Sequence, residues 1–412
     1  MVNLQPPTQA NSYNLLTQNG LINPYPIYQK MREEDPVHWS EPLQAWVLTR
    51  YEEVEKALFD PRLSSERLET LAQLHLQQID LKIVEDYLRV FGKGMVMRDP
   101  PEHIRLRKIA SQGFTHKALA NWQPMIQTLV NELLDKVQTT GTMDIVGDFT
   151  EPLPAIVIAE MFGVPITDQE NFQKWSNDIA KFVGGSFGNL EEDAKLANEG
   201  IKKLESYFKT MLAERQKQPG NDLMSLLIAG YEEGKMDEEE LCAQCVLILV
   251  AGHVTTVDQL ANGIHAFLQH PEQLKKLQDN PHLIDSAVEE ILRYQTSVAF
   301  VHRVAKQDLE IKGQRLREGQ IVFLGLAAAN HDEKIFEVPD QFEITRKGNK
   351  HLSFILGSHL CLGALLARME LKIGLQTLFK RMPNLRLAEN QPPQLKLDSL
   401  LFRGFHSLPV VF

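Results

Sequence analysis

The chain has 412 residues, 43% hydrophobic and 24% charged, with a formal net charge of −11. That is a globular composition, and an acidic balance without a Lys/Arg-rich block argues against nucleic acid as a partner. Three cysteines, Cys242, Cys245 and Cys361, are too few for a disulfide framework and point to a reducing compartment, the cytoplasm.

Met1 to Tyr13 is polar and rich in Pro and Gln, with no signal-peptide pattern. The longest apolar run, Val246 to Gly252, is shorter than the ~20 residues that cross a bilayer, so no membrane contact is expected. Residues 1–35 read as a loose arm that ends in a short helix, Tyr25 to Glu33. Pro36 to Ser40 and Ala45 to Thr49 read as short strands by alternation and β-branched content. Tyr51 to Phe59 reads as a helix closed by Pro61, and residues 62–94 read as irregular.

Asp99 is the expected cap of a helix with Pro100, Pro101 and Glu102 in its first turn. His103 and Arg107, four apart, then share one face. Together they can grip a carboxylate; a solvated basic face is the bland alternative. Residues 117–218 read as a series of helices punctuated by Pro152, Pro154 and Pro165. Gly184-Gly185-Ser-Phe-Gly188 breaks the series, with Phe172, Phe182 and Phe187 near it. A lid over a greasy pocket and ordinary helix packing both fit that pattern.

Met236 to about His270 reads as one long helix, acidic in its first turn, apolar in its middle and ended by His270-Pro271. Its centre is Ala251-Gly-His-Val-Thr-Thr256. A mid-helix Thr beside Gly can loosen the hydrogen-bond ladder, or simply bond back to a helix carbonyl. Cys242 and Cys245 lie in the apolar run with no second Cys or His pair, and read as core. Glu290 and Arg293 are spaced for a helical ion pair.

Near the C-terminus, Phe354-Ile-Leu-Gly-Ser-His-Leu-Cys-Leu-Gly363 runs into an apolar helical pattern, Ala364 to Ile373. Gly357 and Gly363 bracket Cys361 and permit turns that other residues resist. A cysteine just before a helix N-terminus is expected to favour its thiolate, a possible axial ligand for haem iron. A buried, inert cysteine is the alternative.

This loop resembles the haem-ligand loop of the cytochrome P450 family, Phe-Gly-x-Gly-x-His-x-Cys-x-Gly. Phe354, Gly357, His359, Cys361 and Gly363 match; Ile355 stands where the family has Gly or another small residue. His103 and Arg107, Ala251 to Thr256, and Glu290 and Arg293 with Arg346 match further family motifs in family order. The resemblance implies a mainly α fold with a small β region, the cytochrome P450 fold, in a single domain over residues 25–412 after an arm at 1–24. It implies haem b held by Cys361, with His103, Arg107, Arg303 and His359 at its propionates and Ala251 and Gly252 against its face. Thr255 takes the position that serves oxygen activation. A tentative substrate pocket comprises Phe182, Phe187, Val250, Val254, Val298, Phe300, Leu401 and Phe402, with Val298 to Val301 along one wall.

The resemblance also implies a monomeric monooxygenase that uses O2 and electrons from a ferredoxin and its reductase. Its substrate would be a hydrophobic small molecule, hydroxylated or epoxidised in secondary metabolism. Lys108, Arg368, Lys372 and Lys380 are candidates for a basic docking patch. One position departs sharply: Val254 replaces the acid that usually precedes the threonine, and His253 and Asp258 do not occupy its place. Oxidative aryl coupling on the same haem, or a haem-bearing binding protein with weakened catalysis, remain open alternatives.

Overall fold

The computed structural model describes residues 13–76, 79–185 and 189–412. Helices carry most of the chain, and one five-stranded sheet forms the largest β element. Its strands run in the order Val37–Ser40, Ala45–Leu48, Ile321–Gly325, Phe300–Ala305, Leu63–Ser64. The pair Ala45–Leu48 and Ile321–Gly325 is parallel; the others are antiparallel. Both strands expected near the start are present, as are the helices Tyr25–Glu34 and Tyr51–Phe59.

The fold is organised around the helix Glu238–Gln269. It starts where the sequence says it should. Asp237 Oδ1 accepts from the Glu240 N–H at 2.7 Å, and Glu240 Oε2 accepts from the Asp237 N–H at 3.0 Å. Three glutamates then meet the positive end of the helix. An 18-residue window of this helix is apolar enough to cross a bilayer, yet 72% of that window is buried within the protein. Its apolar surface is taken up by the helices Pro152–Phe162, Gln169–Val183, Glu85–Gly92 and Ala364–Arg381. Cys242 and Cys245 are buried here as core, with Cys245 Sγ 3.6 Å from Met224 Sδ. Burial pushes the Cys242 thiol up to about 12, which suits packing and not chemistry.

Three local expectations fail. Residues 62–94 are ordered into helices Leu68–His75 and Glu85–Gly92, separated by a 3-10 turn at Leu81–Val84. The arm is not loose from residue 13 onward, because Tyr13 and Leu15 are buried against the sheet-side core. Asp99 does not cap the next helix. That helix runs from Glu102 to Ala110 with Pro101 at its N-cap and no side-chain cap. The Asp99 carboxylate turns instead to Ser64 Oγ at 2.6 Å and the Ser65 N–H at 2.8 Å.

Beneath the central helix, Glu290 and Arg293 form the expected pair, and Arg346 joins them with its Nε 3.0 Å from Glu290 Oε2. Arg293 also donates to the carbonyls of Asn330 and Pro339. This network pins the segment 330–346 that leads to the cysteine loop.

Candidate active site

A cavity lies between the middle of the central helix and the cysteine loop. Ala251, Gly252, Thr255 and Thr256 form one wall; Phe354, Ile355, Cys361, Leu362 and Gly363 form the other. Small residues keep the helix wall low. The Cβ that Gly252 lacks would lie 3.3 Å from the Ile158 side chain, so this glycine also admits the neighbouring helix. The Thr255 hydroxyl donates to the Ala251 carbonyl at 2.9 Å, the back-bonded state weighed above, and its lone pairs remain available to the cavity.

The cysteine loop is a tight turn. The Cys361 N–H donates to the Phe354 carbonyl at 2.9 Å, and Gly357 takes φ +73°. Gly363 has φ −83°, so its expected conformational freedom is not used. Ile355 has φ +49°, a left-handed conformation that costs a β-branched residue. The family's glycine preference at this position therefore has a backbone cause that this chain resists. The expectation that the loop favours a thiolate is corrected in part. Burial pushes the Cys361 thiol up, against the Gly363 N–H and the charges of Arg107 and Arg368, which pull it down.

At the cavity's edge, donors gather without matching acids. His103, Arg107 and His359 line the cavity, and the two histidine rings lie 3.9 Å apart. His359 Nε2 is 3.0 Å from Ser65 Oγ. His103 Nδ1 is buried with no partner among the described residues. Arg303 sits behind them, buried, with Nη1 on the His302 carbonyl, and does not itself line the cavity. Arg67, unremarked in the sequence, is buried beside them with its Nε unpartnered. Burial, then Arg107, holds His103 down at about 4; burial, then His103, holds His359 at about 3; burial holds Arg303 at about 10. Asp99 is the acid whose charge reaches His103, His359 and Arg303, and it is bonded to Ser64 and Ser65. A donor cluster of this kind fits a ligand with two carboxylates, beside a flat apolar slot with one sulfur. That is the chemistry of haem.

A family model described as Cytochrome P450 matches residues 57–402. The chain belongs to the cytochrome P450 family. It is a monooxygenase of that family, which binds haem through a cysteine thiolate. This P450 is 38% identical to the "Biotin biosynthesis cytochrome P450" of Bacillus subtilis, covering 95% of this chain and 97% of that protein. It is 35% identical to the "Polyketide biosynthesis cytochrome P450 PksS" of the same organism, over 94% of this chain and 95% of that one. Among solved structures it matches P450BioI in complex with a hexadec-9Z-enoic acid-ligated acyl carrier protein. That match has a TM-score of 0.88 at 38% identity and covers 95% of this chain and 99% of that one.

The tentative substrate pocket is largely corrected. Val298 lines the haem-side cavity, together with Val301. Phe300, next to Val301 on the strand Phe300–Ala305, points to the other face and packs edge-on to Tyr28 and Phe323. Ala299, just before the strand, is buried in the same core. Phe182 is buried against Tyr87, Val250 is buried in the main core, and Leu401 packs with the sheet-side core. Phe172 packs on Tyr207 and Phe208 as ordinary helix packing. Phe187 lies outside the described residues. Val254 and Phe402 line a second cavity, on an adjoining face of the central helix.

The apolar lining that sequence reading missed is Met95, Val96, Phe114, Ile158, Leu247, Ile248 and Leu326. Leu247 and Ile248 had a readable signal, lying four and three residues before Ala251 on the same helix. The proposed basic docking patch is weakened. Arg368 forks onto Glu289 at 2.7 and 2.9 Å, and Lys372 binds Asp285 at 2.7 Å, leaving Lys108 and Lys380 exposed.

Proposed function

We propose that Cys361 supplies the axial thiolate, that His103, Arg107 and His359, backed by Arg303, hold the propionates, and that Thr255 faces the site of oxygen chemistry. The substrate is a hydrophobic small molecule of secondary metabolism, which the enzyme hydroxylates or epoxidises. Electrons come from a ferredoxin and its reductase, and the protein works as a cytoplasmic monomer. Haem supplies the oxygen chemistry; the chain binds, orients and excludes water.

The observation that carries this reading is the haem-side lining. Met95, Val96, Ile158, Leu247, Val298 and Val301 present apolar surface, and no Asp or Glu lines the cavity among the described residues. An apolar ligand gains from that burial, and a cationic one finds no acid there. A fatty-acyl chain carried on a protein is a second reading, favoured by the ligand named with the relative P450BioI.

The test is turnover of haem-loaded protein with NADPH, a surrogate ferredoxin pair and a metabolite library that includes free fatty acids, read by mass. Products that gain one oxygen atom support the proposal. Dimers that have lost two hydrogens would replace it with oxidative coupling. No ligand-dependent turnover from any compound would favour a binding role.

A further inference from the structure

Monooxygenation has a fixed stoichiometry. Substrate, O2, two electrons and two protons give the oxygenated product and water. The protons must enter a cavity whose lining holds no carboxyl group among the described residues. Position 254, next to Thr255, carries a valine that cannot carry one. We propose that Asp258 is the proton-relay group that serves Thr255 in this chain, fed from the second cavity.

Asp258 is the only Asp or Glu on the central helix beyond its first turn. It lies three residues after Thr255, so the two side chains are about 60° apart around the helix and their Cβ atoms ~5–6 Å apart. One water spans such a gap. Thr255 faces the haem-side cavity, whereas Asp258 faces the second cavity, of about 520 Å³. The carboxyl is fully buried. Its Oδ1 accepts from Lys396 Nζ at 2.7 Å, and its Oδ2 has no partner among the described residues. The second cavity reaches exposed Lys181 and His406, which gives protons a way in from solvent.

The transfer is balanced. Protonated Asp258 gives its proton through the bridging water to Thr255 Oγ, which passes its own hydroxyl proton into the haem-side cavity. The carboxylate left behind is stabilised by Lys396 and regains a proton from the second cavity. Several groups face it. Lys396, Asp398 and His406 come from the C-terminal hairpin, Glu151 from the start of the helix Pro152–Phe162, Asn177 and Lys181 from Gln169–Val183, and His253 from its own helix. Burial lifts Asp258 to about 6; Lys396 opposes this, while Asp398 and Glu151 add to it. Such a group both gives and takes a proton near neutral pH.

His253 is the rival, since its Nε2 is also unpartnered. It lies two residues before Thr255, on the opposite side of the helix, and burial holds it neutral at about 3.

The proposal rests on the monooxygenase reading, and two measurements separate them. The first is infrared titration of the purified protein, which needs no turnover. A buried protonated-carboxyl band that titrates around pH 6 and is missing from Asp258→Asn is expected. Its absence from the wild type overturns the proposal even if the variant fails to fold. The second is oxygen consumption by haem-loaded protein with NADPH and a surrogate ferredoxin pair, in H2O and D2O. Asp258→Asn should slow it tenfold or more, on the order expected for a lost acid–base group, and raise the solvent isotope effect. Adding Val254→Glu to that variant should restore both. An unchanged rate, or a loss that Val254→Glu does not restore, assigns Asp258 a structural role and overturns the relay. Failure of the haem–thiolate reading would show separately, as the absence of a thiolate-type carbonyl spectrum in the wild type.

Discussion

Arg293 grips Glu290 at 2.8 Å through both Nε and Nη2, and both side chains are fully buried. Arg346 reaches the same carboxylate, and the Glu343 N–H donates to Glu290 Oε1 at 2.9 Å. Removing Arg293 strips this buried carboxylate of its bidentate partner and leaves it to Arg346, Asn349 and the Glu343 N–H. Arg293→Ala should therefore cost on the order of 3–5 kcal/mol and reduce haem incorporation. Denaturant melts of wild type and variant check this; a loss below about 1 kcal/mol would contradict it.

Ile355 gives a prediction of reversed order. At an ordinary position Gly is less stable than Ala by roughly 0.5–1 kcal/mol. At φ +49° an L-residue carries about 1–2 kcal/mol of strain that Gly escapes. Both substitutions lose the packing of Ile355 on the cluster that includes Leu58, Leu324 and Leu352. Ile355→Gly should therefore melt above Ile355→Ala. The ordinary order would show that the strain is absent.

The propionate cluster predicts graded haem loss. His103→Ala and Arg107→Ala each remove a donor with no competing acid beside it. Each should weaken haem binding about tenfold, the scale of one charge-assisted hydrogen bond. Hemin titration of the cofactor-free proteins, followed by tryptophan quenching, measures it. Unchanged affinity in both would move the propionates elsewhere.

Much of this site was legible because its chemistry needs particular residues at particular spacings. Cys361 with its bracketing residues, His103 with Arg107, and Glu290 with Arg293 each carry a local pattern. The substrate lining was not legible. Phe300 and Val301 are adjacent apolar residues on one strand, and only the direction of the pleat sends the second to the cavity and the first to the opposite core. Arg67 and Asp99 were missed or misassigned for a related reason. Their partners, Ser64, Ser65 and the Val96 carbonyl, lie on separate elements that only the fold brings together.

Glu370 sets a pH dependence. It is buried on the helix after the cysteine loop, with Oε2 unpartnered, and burial lifts it to about 8. Its folded value lies above its unfolded value, so the unfolded chain releases this proton first as pH rises. Stability is complete below the unfolded value near 4.5 and is lost as pH climbs through about 8. Glu370→Gln should remove that loss, so the variant should out-melt the wild type by a margin that grows from pH 6 to about pH 9. Parallel melting curves across that range would contradict the assignment.

Ligation of haem iron by Cys361 is tested most directly by the carbon monoxide spectrum of the reduced, haem-loaded protein. The expected result is the strongly red-shifted thiolate-type band, lost in Cys361→Ala while that variant stays folded. A well-folded, haem-loaded wild type that never shows the band, or a Cys361→Ala variant that keeps it, would contradict the assignment of Cys361.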